Sequence, residues 1–132
     1  MQLNAYLSFN GNCAEAFKHY EKVLQGKLVM MTHADSPMAA QTPPEHLNKI
    51  MHARLVVGDE VLMGSDNPPH IQQQPKGFSV SIGVAEIDEA ERLYAELSEG
   101  GEIHMALDKT FWAKRFGMFR DRFGTPWMIN CE

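Results

Sequence analysis

Two side chains that could bind or transfer charge, His52 and Arg54, stand two residues apart in the alternating segment 50–57. Alternate residues of a β-strand face the same side of a sheet, so both would share one face and the apolar residues between them the other. An arginine fork can hold a carboxylate or a phosphonate, and an imidazole can move a proton near neutral pH. The alternative is structural: Arg54 pairs with a nearby acid and His52 fills a half-buried position.

The other histidines give weaker indications of an ion site. No two are spaced as HxH or HxxxH, which would place two imidazoles on one ion. Three are predicted to be solvated, on a helix flank or in proline-containing loops: His19, His46 and His70. His33 and His104 lie, like His52, on predicted strands, where a relocated ion could be held if the three converged.

Nucleophilic or paired-carboxylate chemistry has little support. Asp66 in GSD and Asp121 in RDRFG could form a catalytic pair, but both stand at predicted turns, where aspartate bonds backbone N–H groups. Cys13 and Cys131 match no CxxC or disulfide pattern and are predicted to be free, buried residues. Neither a GxSxG elbow nor a phosphate-binding loop is present.

Six of the 12 aromatic residues fall in one short segment. They are Phe111, Trp112, Phe116, Phe119, Phe123 and Trp127. We predict that four of them belong to the core. Phe111 and Trp112, at a loop-to-strand junction, are predicted to line a pocket or a subunit interface.

The elements that position these residues occur twice. A strand at 5–9 precedes a helix capped by Asn12 and ended by Gly26, with an apolar stripe of Cys13, Phe17, Tyr20 and Leu24. Three strands follow at 27–33, 50–57 and 60–64 and complete module one, about 1–65. The proline-containing segment 34–49 is predicted to be a lid or an interface arm, with disorder as the alternative.

A connecting loop at about 66–77 leads to module two, about 78–132. In its strand at 78–84, Ser79 and Ser81 are predicted to face away from the helix of this module. That helix is predicted to begin with an Asp88–Glu91 capping box. Strands follow at 102–107, 116–122 and 126–131. An offset of 74 residues aligns the two helices, pairing Tyr20 with Tyr94. The sequence therefore predicts one α+β domain, 1–132, with two tandem β-α-β-β-β modules forming a curved mixed sheet around a cleft.

Composition limits the classes of function. With 132 residues, 44% hydrophobic and 22% charged, the chain is typical of a globular domain. A net charge of −5 and the lack of a basic run argue against nucleic acid as a partner. The sequence has no long apolar stretch and no signal-peptide pattern at its start, so we expect a cytoplasmic protein without a membrane partner.

Three long segments occur in order and span nearly the whole chain: AYLSFNGNCAEAFKHYEKVLQGKL, HARLVVGDEVLMGSD and TFWAKRFGMFRDRFGTPWMIN. Together with the paired modules, they resemble the PhnB-like branch of the vicinal oxygen chelate superfamily, which contains glyoxalase I, bleomycin-resistance proteins and extradiol dioxygenases. The resemblance implies a glyoxalase-like fold and a homodimer. Some family members bear a ubiquinone methyltransferase label, but the glycine-rich strand-to-helix turn typical of that chemistry is not visible in this sequence.

In metal-using members of that superfamily, His, Gln or Glu side chains from the first and last strands of each module hold a divalent ion. The corresponding positions are predicted to be Ala5, Met63 (or its neighbour Leu62), Ser79 and Met128. Alanine has no donor atom, a serine hydroxyl is a poor ligand, and a thioether prefers soft ions. We therefore predict neither this metal centre nor another cofactor, with a divalent metal as the alternative.

Three functional hypotheses follow. The first is a metal-free homodimer that binds a small molecule, an anion if Arg54 anchors it. The cleft would be lined by His52, Arg54, Ser79, Ser81, Trp112 and Met128. The second is a lyase, isomerase or dioxygenase that uses a relocated metal ion, or His52 as a general base without one. The third is a purely structural dimer with a vestigial cleft.

Overall fold

The computed structural model describes residues 1–132, which divide into two compact units, Met1–Gln73 and Gln74–Glu132. Each unit has one long helix and four strands in the order β-α-β-β-β, which confirms the predicted α+β class and the tandem modules. The helices are α1 (Cys13–Leu24) and α2 (Ile87–Ser98). The strands are β1 (Tyr6–Phe9), β2 (Lys27–Thr32), β3 (Ile50–Val57), β4 (Glu60–Asp66), β5 (Val80–Val84), β6 (Glu102–Asp108), β7 (Arg115–Arg120) and β8 (Pro126–Cys131). No helix is both long enough and apolar enough to cross a lipid bilayer.

The first sheet has the strand order β1-β4-β3-β2, in which β1 runs parallel to β4 and the other neighbours are antiparallel. Helix α1 covers one face of it, where Leu7 and Leu55 are buried with Phe17 of the helix. Gly64 lets the helix approach, since a Cβ at that position would come within 2.8 Å of the Phe17 ring. Burial of this apolar set is the main source of stability of the module.

The second sheet has the equivalent order β5-β8-β7-β6, with β5 parallel to β8. Helix α2 buries Leu93 and Leu97 on this sheet, where Trp127 and Ile129 are also buried. Gly117 has the same role as Gly64, because a Cβ there would come within 2.6 Å of the Tyr94 ring. Each module thus has its own core between one helix and one sheet.

Each module has a buried aspartate whose carboxylate accepts several hydrogen bonds. Asp66 Oδ1 accepts hydrogen bonds from the backbone N–H groups of Gly11 and Cys13, and its Oδ2 accepts one from Ile50 N–H, at 2.8–3.0 Å. Asp121 accepts from two N–H groups of the β7–β8 turn and from Trp127 Nε1. The predicted structural role of both carboxylates is confirmed.

The helix termini differ in detail from the predictions. Asn12 precedes α1 but its side chain makes no capping hydrogen bond, while Asp66 accepts the N–H of Cys13, the first residue of the helix. The residue in the left-handed conformation at the end of α1 is Gln25, with φ of 57°, and not Gly26. Helix α2 begins at Ile87 without a side-chain cap, so the predicted Asp88–Glu91 capping box is wrong. Asp88 lies in the first turn, where its charge favours the helix dipole.

The segment between β2 and β3 consists of three short 3₁₀ turns, at His33–Asp35, Ala39–Gln41 and Pro44–His46. Its two ends are joined by hydrogen bonds from His33 N–H to the Lys49 carbonyl and from Ala34 N–H to the Leu47 carbonyl. His46 is buried, so the prediction that it is solvated is wrong. Its ring lies 4.5 Å from that of His33, between centroids.

Candidate functional site

The candidate residues His52 and Arg54 lie on the face of the first sheet opposite α1, which we call the first open face. Ala53 and Leu55 of β3 are buried on the helix side, whereas the residues between and before them, Arg54 and His52, point the other way. The strand register sets Val29 and Met63 on either side of Arg54. Met31 lies beside His52. The first open face therefore has a polar centre with apolar neighbours.

Tyr6 of β1 contacts His52 across this face. The phenol oxygen lies 3.1 Å from His52 Nδ1, and the rings stack with centroids 5.8 Å apart and an interplanar angle of 28°. With Tyr6 as the donor, a neutral His52 carries its ring proton on Nε2. Nε2 has no hydrogen-bond partner in the chain, so it is available as a donor to a bound molecule.

Arg54 is exposed and makes no ion pair or hydrogen bond within the chain, so the predicted alternative of an acid partner is not observed. Lys27 lies on the same face, beside Val56. The only acidic residues of the four strands, Glu60 and Asp66, alternate with Leu62 and belong to the helix side. The first open face thus has two cationic side chains and no carboxylate among its strand residues.

The corresponding face of the second sheet has a different set of groups. Ser81 of β5 is exposed and lies beside Met128 of β8. Arg120 also faces this side, but its guanidinium donates to the carbonyls of Pro75 and Gly124, each at 2.7 Å. Glu102 is the cross-strand neighbour of Arg120. The only strong cation of this face is therefore already bonded to the backbone.

The second open face carries two carboxylates, those of Glu102 and Asp108. Asp108 lies beside Phe116, and Glu102 is 3.7 Å from His104 Nε2. Asn130 donates through Nδ2 to Glu132, while its Oδ1 is buried without a hydrogen-bond partner. This face is suited to hydrogen-bond donors rather than to anions.

Comparison with known proteins assigns the family. The family model of the Glyoxalase/Bleomycin resistance protein/Dioxygenase superfamily matches residues 2–129. The chain belongs to this superfamily. Protein YjdN of Escherichia coli is 34% identical over 98% of this chain and 95% of YjdN, and the chain is PhnB-like within the superfamily.

Solved structures agree with this assignment. The crystal structure of protein PA1353 from Pseudomonas aeruginosa is 51% identical, has a TM-score of 0.93 and covers 100% of this chain and 98% of that one. A PhnB protein from Bacillus cereus, described as a putative 3-demethylubiquinone-9 3-methyltransferase, is 19% identical with a TM-score of 0.81 and full coverage of both chains. The similarity to the Bacillus cereus protein concerns the fold alone.

The residues do not fit the divalent ion that the superfamily fold can hold. The predicted ligand position Ala5 lies just before β1, and Tyr6 occupies the strand position beside Met63 on the first open face. The helices begin 74 residues apart, at Cys13 and Ile87, but the first strands end 75 apart, at Phe9 and Val84. Tyr6 is therefore the equivalent of Ser81, and the 74-residue offset does not apply to the first strands. Phenol, thioether and serine hydroxyl groups are weak ligands for Zn²⁺ or Mn²⁺.

The histidines do not supply an alternative ligand set. No group of three or more His, Cys, Asp or Glu side chains is arranged to hold a metal ion. His33 and His46 contact each other, but His52 instead bonds Tyr6. Burial, together with neighbouring His46, lowers the pKa of His33 below its ordinary value. Burial also raises the pKa of the Cys13 thiol, which keeps it protonated and non-nucleophilic.

The remaining predicted site residues, Ser79 and Trp112, belong to the second unit. Ser79 immediately precedes β5 and is half-buried. Trp112 is 49% exposed in the β6–β7 connection, where its ring contacts Phe111 and Phe116 edge to face. Phe111 is 97% exposed, whereas only Phe119 and Trp127 of the aromatic segment are fully buried. The prediction of four core aromatics was therefore too high.

Tyr6 is the site residue that sequence reasoning missed. It lies in the alternating segment AYLSF, and burial of Leu7 and Phe9 sends Tyr6 and Ser8 to the first open face. The alternation within this strand alone would have placed it there. The 74-residue offset between the two helices points to Ala5 instead.

Proposed function

We propose that this PhnB-like protein binds a small organic anion on its first open face, with Arg54 as anchor and His52 as second donor, and without a metal ion. The observation that carries the proposal is the exposed Arg54 guanidinium, which has no partner within a chain of net charge −5. A guanidinium presents paired N–H donors that match the two oxygens of a carboxylate.

His52 extends this donor set. Alternate residues of a strand are about 7 Å apart, so an anion held by Arg54 can place a second polar substituent near His52 Nε2. The stacked Tyr6 ring holds the imidazole, which reduces the side-chain entropy lost when a ligand binds. A site with one strong and one weaker polar anchor is typical of small-molecule pockets.

We propose in addition that the protein is a homodimer. The exposed Phe111 and Trp112 rings of the β6–β7 connection support this proposal, because large aromatic side chains are enriched at subunit interfaces. Each sheet also has two edge strands, β1 and β2 in the first and β5 and β6 in the second, and association can cover the backbone groups of such edges.

A cytoplasmic location is also part of the proposal. Both cysteines are buried free thiols, Cys13 and Cys131. Proteins of oxidising compartments often pair their cysteines in disulfides, whereas buried free thiols are common in the reducing cytoplasm.

Native mass spectrometry of untagged, freshly purified protein tests these proposals together. The expected species is a dimer at apoprotein mass that stays metal-free after incubation with Zn²⁺, Mn²⁺, Ni²⁺ or Fe²⁺. Addition of benzoate should give a bound species that Arg54→Gln loses and Arg120→Gln retains, because Arg120 is engaged with backbone carbonyls.

Two results would overturn the proposal. One stoichiometric metal ion per chain, lost in His52→Ala, would make metal-dependent chemistry of the lyase, isomerase or dioxygenase type the leading hypothesis. Benzoate binding that is equal in the Arg54→Gln and unmodified proteins would remove Arg54 as anchor.

A further inference from the structure

The surroundings of Arg54 constrain the body of the ligand as well as its charge. Its two cross-strand neighbours on the first open face are Val29 and Met63, both apolar. Lys27 is aligned with Val56, two residues along β3 from Arg54. A compact dianion such as a phosphonate would therefore place part of its charge against apolar side chains, which is unfavourable.

The apolar part of this face is accessible. Val29 is 65% exposed and Met31 is 41% exposed, and the two alternate on the edge strand β2. Burying apolar area stabilises a complex by roughly 25 cal/mol per Å² before the costs of association. Methionine adapts its shape to aromatic rings, and its sulfur makes favourable contacts with them.

Tyr6 adds a flat wall on the opposite side of β3. Tyr6 is 48% exposed and its ring stacks on His52, so the phenol and the imidazole form a stacked pair. A planar ligand can pack against such a surface with little loss of conformational freedom. Arg54 therefore has the apolar edge strand β2 on one side and, beyond Met63, Tyr6 on the other.

We infer that the ligand is an arylcarboxylate-like monoanion: its carboxylate binds Arg54, and its planar apolar body covers Val29 and Met31. This inference rests on the proposed anion-binding function and narrows it to one chemical class. The positive charge of Arg54 favours an anionic group on the ligand, and the exposed apolar side chains of β2 favour an apolar ring system attached to it.

Isothermal titration calorimetry with three probes tests the inference: 2-naphthoate, acetate and methylphosphonate. All three carry an anionic head, and only the first has an extended apolar body. We expect 2-naphthoate to bind at least about tenfold more tightly than acetate or methylphosphonate, because its rings bury additional apolar area. The double variant Val29→Thr/Met31→Thr should reduce this preference about tenfold, since threonine keeps β propensity but removes apolar surface.

A control is available in the second module. Ile103 and Met105 are exposed apolar residues of the edge strand β6, where a bulge sets Ile103 beside Phe119 and Met105 beside Met118. Ile103→Thr/Met105→Thr should leave 2-naphthoate affinity unchanged. If the three probes bind equally and all depend on Arg54, anion binding stands and the inference of an apolar body is overturned. If none of them binds, the proposed function and the inference both fail.

Discussion

The two open faces lie on equivalent sheets but present opposite chemistry. In the first module Arg54 and Lys27 are free, and the acids of the strands belong to the helix side. In the second, Arg120 is bonded to two backbone carbonyls, and Glu102 and Asp108 share its face. The first face offers donors to an anion, whereas the second mainly offers acceptors.

This difference separates what the modules need in order to fold from what each can bind. Both bury an apolar helix stripe, have a glycine where the helix approaches the sheet, and have a buried aspartate that accepts backbone N–H groups. These shared features lie on the helix side of each sheet. The divergent residues lie on the other side, where side chains are least constrained by packing and can change with little effect on stability.

If each buried aspartate stabilises its own module, removing its charge should lower the stability of either module. This is the largest effect that we expect. Asp66→Asn and Asp121→Asn should each lower the free energy of unfolding by about 2–4 kcal/mol, because an amide cannot accept all the buried N–H donors. Urea unfolding followed by circular dichroism measures the loss. Asp59→Asn, at the exposed β3–β4 turn, is the control. A cost below about 1 kcal/mol in either module would show that its aspartate is not a structural anchor.

The close contact between helix and sheet should exclude a larger side chain at the glycine position in both modules. Gly64→Ala and Gly117→Ala should each cost about 1–3 kcal/mol, since the added methyl group overlaps the Phe17 and Tyr94 rings respectively. Gly83→Ala, where only the Asn130 carbonyl lies 4.0 Å away, should be tolerated. Thermal unfolding of the three variants measures this. Equal stability of all three would contradict the packing described for the helix sides.

The two arginines should separate binding from stability. Arg54→Gln should weaken 2-naphthoate binding about tenfold or more with unchanged stability, because it removes a charge-assisted contact that exists only with ligand. Arg120→Gln should instead lower stability by about 1–2 kcal/mol and leave affinity unchanged, since it loses two hydrogen bonds to carbonyls. Calorimetric titration and urea unfolding on both variants give the two readouts. The opposite pattern would reverse the assignment of the two faces.

The smallest expected effect concerns pH and is confined to the first module. Burial and the neighbouring His46 lower the pKa of His33, so the unfolded chain binds this proton more readily than the folded one. The free energy of unfolding should therefore fall as the pH drops below the ordinary histidine pKa of 6.5. His33→Gln should reduce the difference in Tm between pH 7.5 and pH 5.5 by about 1–2 °C. His70→Gln, in an exposed loop, should leave it unchanged.

Much of the fold follows from periodicity alone. The spans of β3 and β8 match the predictions, and the alternation on β3 placed His52 and Arg54 on the side opposite α1. The helix termini were less predictable because α1 is capped by Asp66, a residue distant in sequence. A local pattern cannot reveal a capping group that arrives from another strand.

The site was only partly predictable for a related reason. Arg54 and His52 followed from one strand, but Tyr6 reaches His52 from β1, two strands away in the sheet. That contact depends on the register of β1 on β4, which a one-residue difference between the modules had hidden. The burial of His46 against His33 likewise depends on the path of the 33–49 segment, which no periodicity encodes.

The most direct test of the central claim is a two-dimensional ¹H–¹⁵N NMR titration of the protein with 2-naphthoate. Anion binding on the first open face predicts saturable shifts that centre on β2 and β3, around Val29, His52 and Arg54, and that vanish in Arg54→Gln. Shifts that centre on β7 and β8 around Arg120, or that persist unchanged in Arg54→Gln, would contradict the claim.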